Sequence, residues 1–344
     1  MQQIKTPLTK LLNVKIPIVS APMAIPGIVD IGAAVTSAGA FGFIGAGFLS
    51  SENIKLNFEV VRQKLQLSRG DPVPIGIGFI GWVLDKTECS DDPRINATLD
   101  EKPMAIWFAF GVDLGKYIAQ VRAYDAEREH KTVIFVIVNS VQEALKAANE
   151  WKVDVLVAQG IEAGGHGGSA SPPLLTLLEA IIQAISNGPL IVAAGGISTG
   201  SQIAALLTMG VAGVVLGTRF LFSEECKHPQ AKKDVLLHAD LHSTVRSLAF
   251  DEVGRTMGWP PGQDGRAVAN QIIQDVQDGL DLEERLKKFD ESAAAGETSR
   301  LIVWAGVGAG LVNKIAPISD IISELHEGML EALKSAPRLI ETDA

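Results

Sequence analysis

"VDVLVAQGIEAGGHGGSASPPLLTLLEAIIQAISNGPLIVAAGGIS" runs from Val153 to Ser198 and holds one complete strand–helix–strand repeat. Its two short runs, Val153–Ala158 and Leu190–Ala194, are almost continuously apolar. That is the pattern of parallel strands buried on both faces, not of a sheet with one wet side. Between them "SPPLLTLLEAIIQAI" repeats its apolar residues at helical spacing. Each strand ends in glycines, and the first of these ends also holds a single histidine, His166.

The same alternation extends in both directions. Further strand candidates are Ile16–Ala21, Phe41–Gly45, Pro74–Ile80, Ala105–Phe110, Val133–Val138 and Gly213–Gly217, with helical patterns between them. Ser51, Ser140, Ser171 and Ser198 stand where helix N-caps fall. The stretch "GWVLDKTECSDDPRINATLDEKP" is polar and loop-like, with room for a short helix. Eight strands alternating with helices predict an α/β (β/α)8 TIM barrel; a doubly wound open sheet shares the alternation, since periodicity does not reveal closure. From Leu221 to Ser299 only helical patterns are expected, broken by polar stretches such as "WPPGQDGR". The predicted organisation is therefore a barrel over 1–220 and 301–344, with a helical lid inserted at 221–300. The long amphipathic pattern near the C-terminus supplies the barrel's last helix.

Composition narrows the function classes. Of the 344 residues, 47% are hydrophobic and 20% charged, enough apolar material for a large core. The formal charge is −10, without a cluster of lysines and arginines. That argues against nucleic acid or an anionic membrane surface as partner, since both need a basic footprint. No run reaches the roughly 18 apolar residues of a membrane span, and no signal peptide is visible, so a cytoplasmic protein is expected. Two cysteines in unrelated contexts make neither a disulfide framework nor a structural zinc site, and no metal set is expected.

In a barrel the chemistry belongs at the C-terminal ends of the strands. These read "SAPM", "GIGF", "QGIEAGGHGG", "AAGGIS" and "LGTRF". Gly195, Gly196, Gly217 and Thr218 lie after the last two strands, where barrels often hold a phosphate on backbone N–H groups. Ordinary turns that need positive φ would explain either pair alone; both together favour phosphate. His166, among small residues, can act as a general base near neutral pH, or it can simply satisfy loop carbonyls. Glu162 is a candidate to orient it. The other five histidines lie in helical or lid segments and read as solvent-facing or structural. "AGVGAG" at 305–310 is a poor match to a dinucleotide-binding loop.

Taken together, "APM" at 21–23, "QGIEAGGHGG" at 159–168, "AAGGI" at 193–197, "GTRF" at 217–220 and "WAGVGAGLV" at 304–312 resemble the nitronate monooxygenase family, formerly the 2-nitropropane dioxygenases. The resemblance covers essentially the whole chain and implies an FMN-dependent oxidoreductase on a TIM barrel. It places Ala21, Pro22, Met23 and Gly78 along the flavin ring. Gln159, Gly164 and Gly165 fall beside it, Gly195, Gly196, Gly217 and Thr218 at its phosphate, and His166 becomes the catalytic base. The implied reaction uses O2 to convert an alkyl nitronate or nitroalkane, propionate 3-nitronate among them, to a carbonyl compound and nitrite. The same loops also fit an NAD(P)H-dependent flavin reductase acting on quinones or enoyl thioesters, or a non-catalytic FMN-binding protein. Gly78, Ala109 and Val307 depart from the residues common at those places in the family. Assembly as a homodimer is left open.

Overall fold

The structure, a computed structural model, describes residues 2–339. In chain order the strands are β1 (Ile18–Ser20), β2 (Phe43–Gly45), β3 (Val73–Ile80), β4 (Pro103–Ala109), β5 (Val133–Val138), β6 (Val155–Gln159), β7 (Gly165–Gly168), β8 (Leu190–Ala194), β9 (Gly213–Leu216), β10 (Thr244–Arg246) and β11 (Gln263–Val268). All but β7, β10 and β11 form one parallel sheet in the order β1-β9-β8-β6-β5-β4-β3-β2. A parallel bridge between Val19 and Phe41 joins its two edges. Phe41 N–H donates to Ile18 O, and Ser20 N–H donates to Phe41 O, each at 2.9 Å. The sheet therefore closes into a TIM barrel, and the open doubly wound alternative is set aside.

Closure explains why the strands read as unbroken apolar runs. Along β4, Ala105, Trp107 and Ala109 point into the barrel while Ile106 and Phe108 point to the surrounding helices. On β6, Val155 and Val157 face inward, and Leu156 and Ala158 outward. The period of two is present, but both faces are dry and the sequence hides it. Inside, the ring of Phe43 packs edge-on against Trp107 and Phe135, with centroids 5.3 and 5.2 Å apart. Gly76 makes room for it, since a Cβ there would lie 2.1 Å from the Phe43 ring. Leu8 and Leu12, in and just after the N-terminal helix Pro7–Leu11, join this interior cluster. The aromatic layer fills part of the interior and leaves space toward the strands' C-terminal ends.

The helix Ile318–Ser335 packs against Gly200–Thr208 and Ile28–Ser37, so it is the barrel's last helix, as the sequence suggested. Helix starts differ in detail from the sequence reading. Ser140 caps its helix, but Ser50 and Thr199 are the caps where Ser51 and Ser198 were expected. Pro173 occupies the N-cap before Leu174, and Ser171 instead donates its hydroxyl to Gln159 O. The polar stretch after β3 holds two short helices, Gly81–Thr87 and Ile95–Leu99.

The segment 221–300 contains the expected helices, among them Gln230–Leu237, Ala249–Gly254, Gln271–Gln277 and Leu282–Ala294. It also carries β10 and β11, which the helical reading did not foresee. With β7 they form an antiparallel sheet in the order β10-β11-β7. A small separate core of Ala249, Phe250, Val253, Ala267 and Ile272, with Trp304 against it, stabilises this layer. Among the described residues no helix is long and apolar enough to cross a membrane.

Candidate active site

At the C-terminal end of the barrel lies a cavity of about 420 Å³, a size usual for small-molecule sites. The residues expected to hold the cofactor and His166 line it: Ala21, Pro22 and Met23 after β1, Gly78 on β3, Gln159 on β6, and Gly164, Gly165 and His166 where β7 begins. Gly195 and Gly196 after β8, with Gly217 and Thr218 after β9, complete the ring. Convergence from six segments follows from closure, because each βα turn opens onto the same end of the barrel.

The glycines there serve different ends. Gly78 is bare because Pro22 lies on it; a Cβ would sit 2.4 Å from Pro22 Cβ. Gly164 faces backbone, its missing Cβ 2.2 Å from Gly306 N, and Gly167 faces the Gln159 amide. Gly195 and Gly196 have φ of 117° and 69°, the left-handed region that side chains disfavour. The main-chain N–H groups of Gly195, Gly196 and Gly217 find no acceptor among the described residues. Free N–H groups on adjacent strand ends suit an anion such as phosphate. The indole N–H of Trp107, which also lines the cavity, is buried without an acceptor, and a buried donor of this kind calls for a partner.

The "AGVGAG" turn forms a 3-10 segment, Val307–Leu311, that braces the same loops. Gly306 N–H donates to Thr218 Oγ1 at 2.9 Å, Ser198 Oγ donates to Gly308 O at 2.8 Å, and Val307 N–H donates to Glu162 O at 3.1 Å. Thr218 Oγ1 is thus an acceptor there, and its hydroxyl proton has no acceptor among the described residues.

The histidine side is built otherwise. "GHGG" is not a loop. It is β7, paired with β11 in the register Gly265↔His166 and Arg266↔Gly165. Arg246 donates to Gly167 O at 2.9 Å, and Arg266 to Ile161 O at 3.1 and 3.2 Å, so both guanidinium groups are engaged in holding this segment. Gln159 accepts from Asn139 Nδ2 at 3.1 Å and donates to His166 O at 3.2 Å.

His166 Nε2 lies 3.0 and 2.9 Å from the two carboxylate oxygens of Asp251, whose side chain is wholly buried. Thr256 Oγ1 and Trp259 Nε1 donate to Asp251 Oδ1 at 2.7 and 2.9 Å. Trp259 also stacks on the imidazole, with centroids 3.5 Å apart and an interplanar angle of 9°, and Trp304 packs 4.6 Å away on a tilt. With a proton on Nε2 donated to Asp251, Nδ1 is the nitrogen left as an acceptor, and it has no hydrogen-bond partner among the described residues.

Asp251, Thr256 and Trp259 were absent from the sequence reading. Glu162, proposed there as the orienting acid, does something else: its carboxylate accepts from Leu174 N–H at 3.0 and 3.1 Å. Pro173 offers no capping side chain to the helix Leu174–Ala184, and Glu162 supplies the missing acceptor. Of the other histidines, His326 Nε2 pairs with Gln2 O and His130 Nε2 with Pro103 O, both structural contacts.

The profile of the nitronate monooxygenase family matches residues 5–328. A nitronate monooxygenase of Neurospora crassa is 31% identical over 340 residues, covering 92% of this chain and 90% of that protein. Among solved structures, FabK from Thermotoga maritima aligns with a TM-score of 0.79 at 25% identity over 98% of this chain and all of the other. A nitroalkane oxidase from Streptomyces ansochromogenes gives 0.76 at 25% identity, over 96% and 99%. The chain belongs to the nitronate monooxygenase family and is an oxidoreductase of that family.

Proposed function

We propose that this member of the nitronate monooxygenase family binds FMN in the cavity and oxidises nitroalkanes and their nitronates with O2, with His166 as the base. One observation carries the reading: the imidazole faces a glycine-lined cavity while a fully buried, triply hydrogen-bonded carboxylate holds its far nitrogen. The cavity residues fit a flavin mononucleotide. Gly195, Gly196, Gly217 and Thr218 would take the phosphate, and the unpartnered Trp107 N–H would meet a polar edge of the ring. Ala21, Pro22, Met23 and Gly78 would give an apolar wall, with Gln159, Gly164 and Gly165 opposite. Bound there, FMN supplies the electron transfer between substrate carbon and O2 that no side chain can perform.

The protein's own part is proton transfer. Nδ1 of His166 takes the α-proton of a neutral nitroalkane, leaving the nitronate. The resulting imidazolium is stabilised by the Asp251 carboxylate on Nε2 and by the face of Trp259. Asp251 does not need to gain the proton; it fixes ring orientation and tautomer and balances the charge. The products are a carbonyl compound and nitrite.

Anaerobic mixing of the FMN-loaded protein with a nitronate should bleach the flavin rapidly, and NADH should not. The reverse result would favour a flavin reductase, and no flavin absorbance after FMN addition would remove both readings. His166→Asn should slow turnover of neutral nitroalkanes by about 10² to 10⁴ while changing nitronate turnover far less. Equal losses on both would contradict the base.

A further inference from the structure

Among the described residues, no lysine, arginine, aspartate or glutamate lines the cavity. Around the ligand space, away from the glycine loops, stand aromatic rings. Phe110 packs edge-on to Trp259 at 5.3 Å, Trp82 behind them packs to Trp259 at 5.7 Å, and Phe48 to Trp82 at 5.7 Å. Phe48, which lines the cavity, is 55% exposed, so this aromatic wall reaches the surface. Cations stand nearby without lining the cavity. Arg246 and Arg266 hold carbonyls of the β7 segment, and Lys86 lies over the Trp82 ring, 4.9 Å from its centroid.

Phe110 adds a second, independent observation. Its φ is +60°, a left-handed backbone that a phenylalanine adopts only at a cost. The residue directly follows β4, and its ring reaches the imidazole of His166 at 6.4 Å. A bulky side chain kept in that conformation, lining the cavity, marks a position where the ring itself matters.

We infer that the site is built for nitro compounds whose far end is uncharged and apolar, an alkyl chain or an aromatic ring, and that Phe110 and Trp259 set this specificity. The inference rests on the functional reading above and names its substrate class. A carboxylate held against these rings, away from the glycine N–H groups, would lose its water and find no cation, while the buried Asp251 charge lies close behind His166. Substrates such as propionate 3-nitronate, anionic at their far end, are disfavoured. So are phosphorylated ones.

The test compares 1-nitrobutane with 3-nitropropionate, molecules of similar length, on the FMN-loaded enzyme. kcat/KM for 1-nitrobutane should exceed that for 3-nitropropionate by at least about 100-fold. Phe110→Arg should shift this ratio at least about tenfold toward the carboxylate. A binding measurement without turnover runs alongside: nitrobenzene should quench tryptophan fluorescence at concentrations at least about tenfold below 4-nitrobenzoate. Comparable kcat/KM values, or equal quenching by the two aromatics, would overturn the inference. If no nitro compound is turned over while nitrobenzene still binds selectively, the cavity's preference stands and the oxidation reading fails.

Discussion

On the barrel side of the cavity, Gly195, Gly196 and Gly217 present main-chain N–H groups, and what matters there is that side chains are missing. On the insertion side, Asp251, Thr256 and Trp259 converge on His166 through atoms at the ends of side chains. The first side recognises by shape and dipole, and at Gly195 and Gly196 positive φ and close neighbours leave little room for a side chain. The second works through one buried charge and its partners, so it can be weakened by degrees without filling the space. Binding of the cofactor and turnover of the substrate should therefore separate experimentally.

The largest effect is expected on the barrel side. Gly196→Val places a β-branched side chain at φ +69°, with its Cβ 3.1 Å from Glu162 Cβ. Flavin should no longer co-purify, and activity should fall below detection. Retained flavin absorbance with normal turnover would show that the two sides are not divided as argued.

Asp251→Asn comes next. The amide preserves size but can donate to Nε2, which reverses the imidazole tautomer and takes the lone pair from Nδ1. Flavin content should stay normal while kcat on neutral nitroalkanes drops about 10² to 10⁴. Activity on preformed nitronate should be largely kept. A parallel loss of flavin would mean that Asp251 supports the fold more than the base.

The smallest effect concerns the root of the insertion. Burial, with Lys232 and Lys233 alongside, pushes the His228 imidazole down to about 4. The folded ring stays neutral where the unfolded one takes up a proton, so its contribution to stability is complete above about pH 6.5 and is lost as the pH falls toward 4. Thermal unfolding followed between pH 7 and 4.5 should show a falling Tm, and His228→Gln should flatten part of that slope. Parallel slopes for the two proteins would count against this assignment.

How much of this was legible in the sequence follows the same division. Strands buried on both faces have to be apolar throughout, so β4, β5 and β6 could be read directly. Backbone sites need glycine, and glycine is visible. Asp251 was not legible, because its meaning lies in a histidine 85 positions away, and no spacing rule spans that interval. β10 is only three residues long, and β11, Gln263–Val268, carries Asp264, Gly265 and Arg266 where a strand pattern would show β-branched residues. β7 looked like a loop because Gly167 and Gly168 are bare to pack against Gln159 and Asn139, not from any strand propensity. Glu162 sat near His166 in sequence but was drawn to the helix that Pro173 left uncapped.

The pairing of β7 with β11 also bears on how such a protein can be rebuilt. His166 is a rung in a ladder whose other rail belongs to the insertion. Residues 221–300 are thus no detachable ornament for chimera-making. A loop exchanged there carries the histidine's tautomer with it, so grafts between relatives should be cut to keep β7, β11 and Asp251 from one parent.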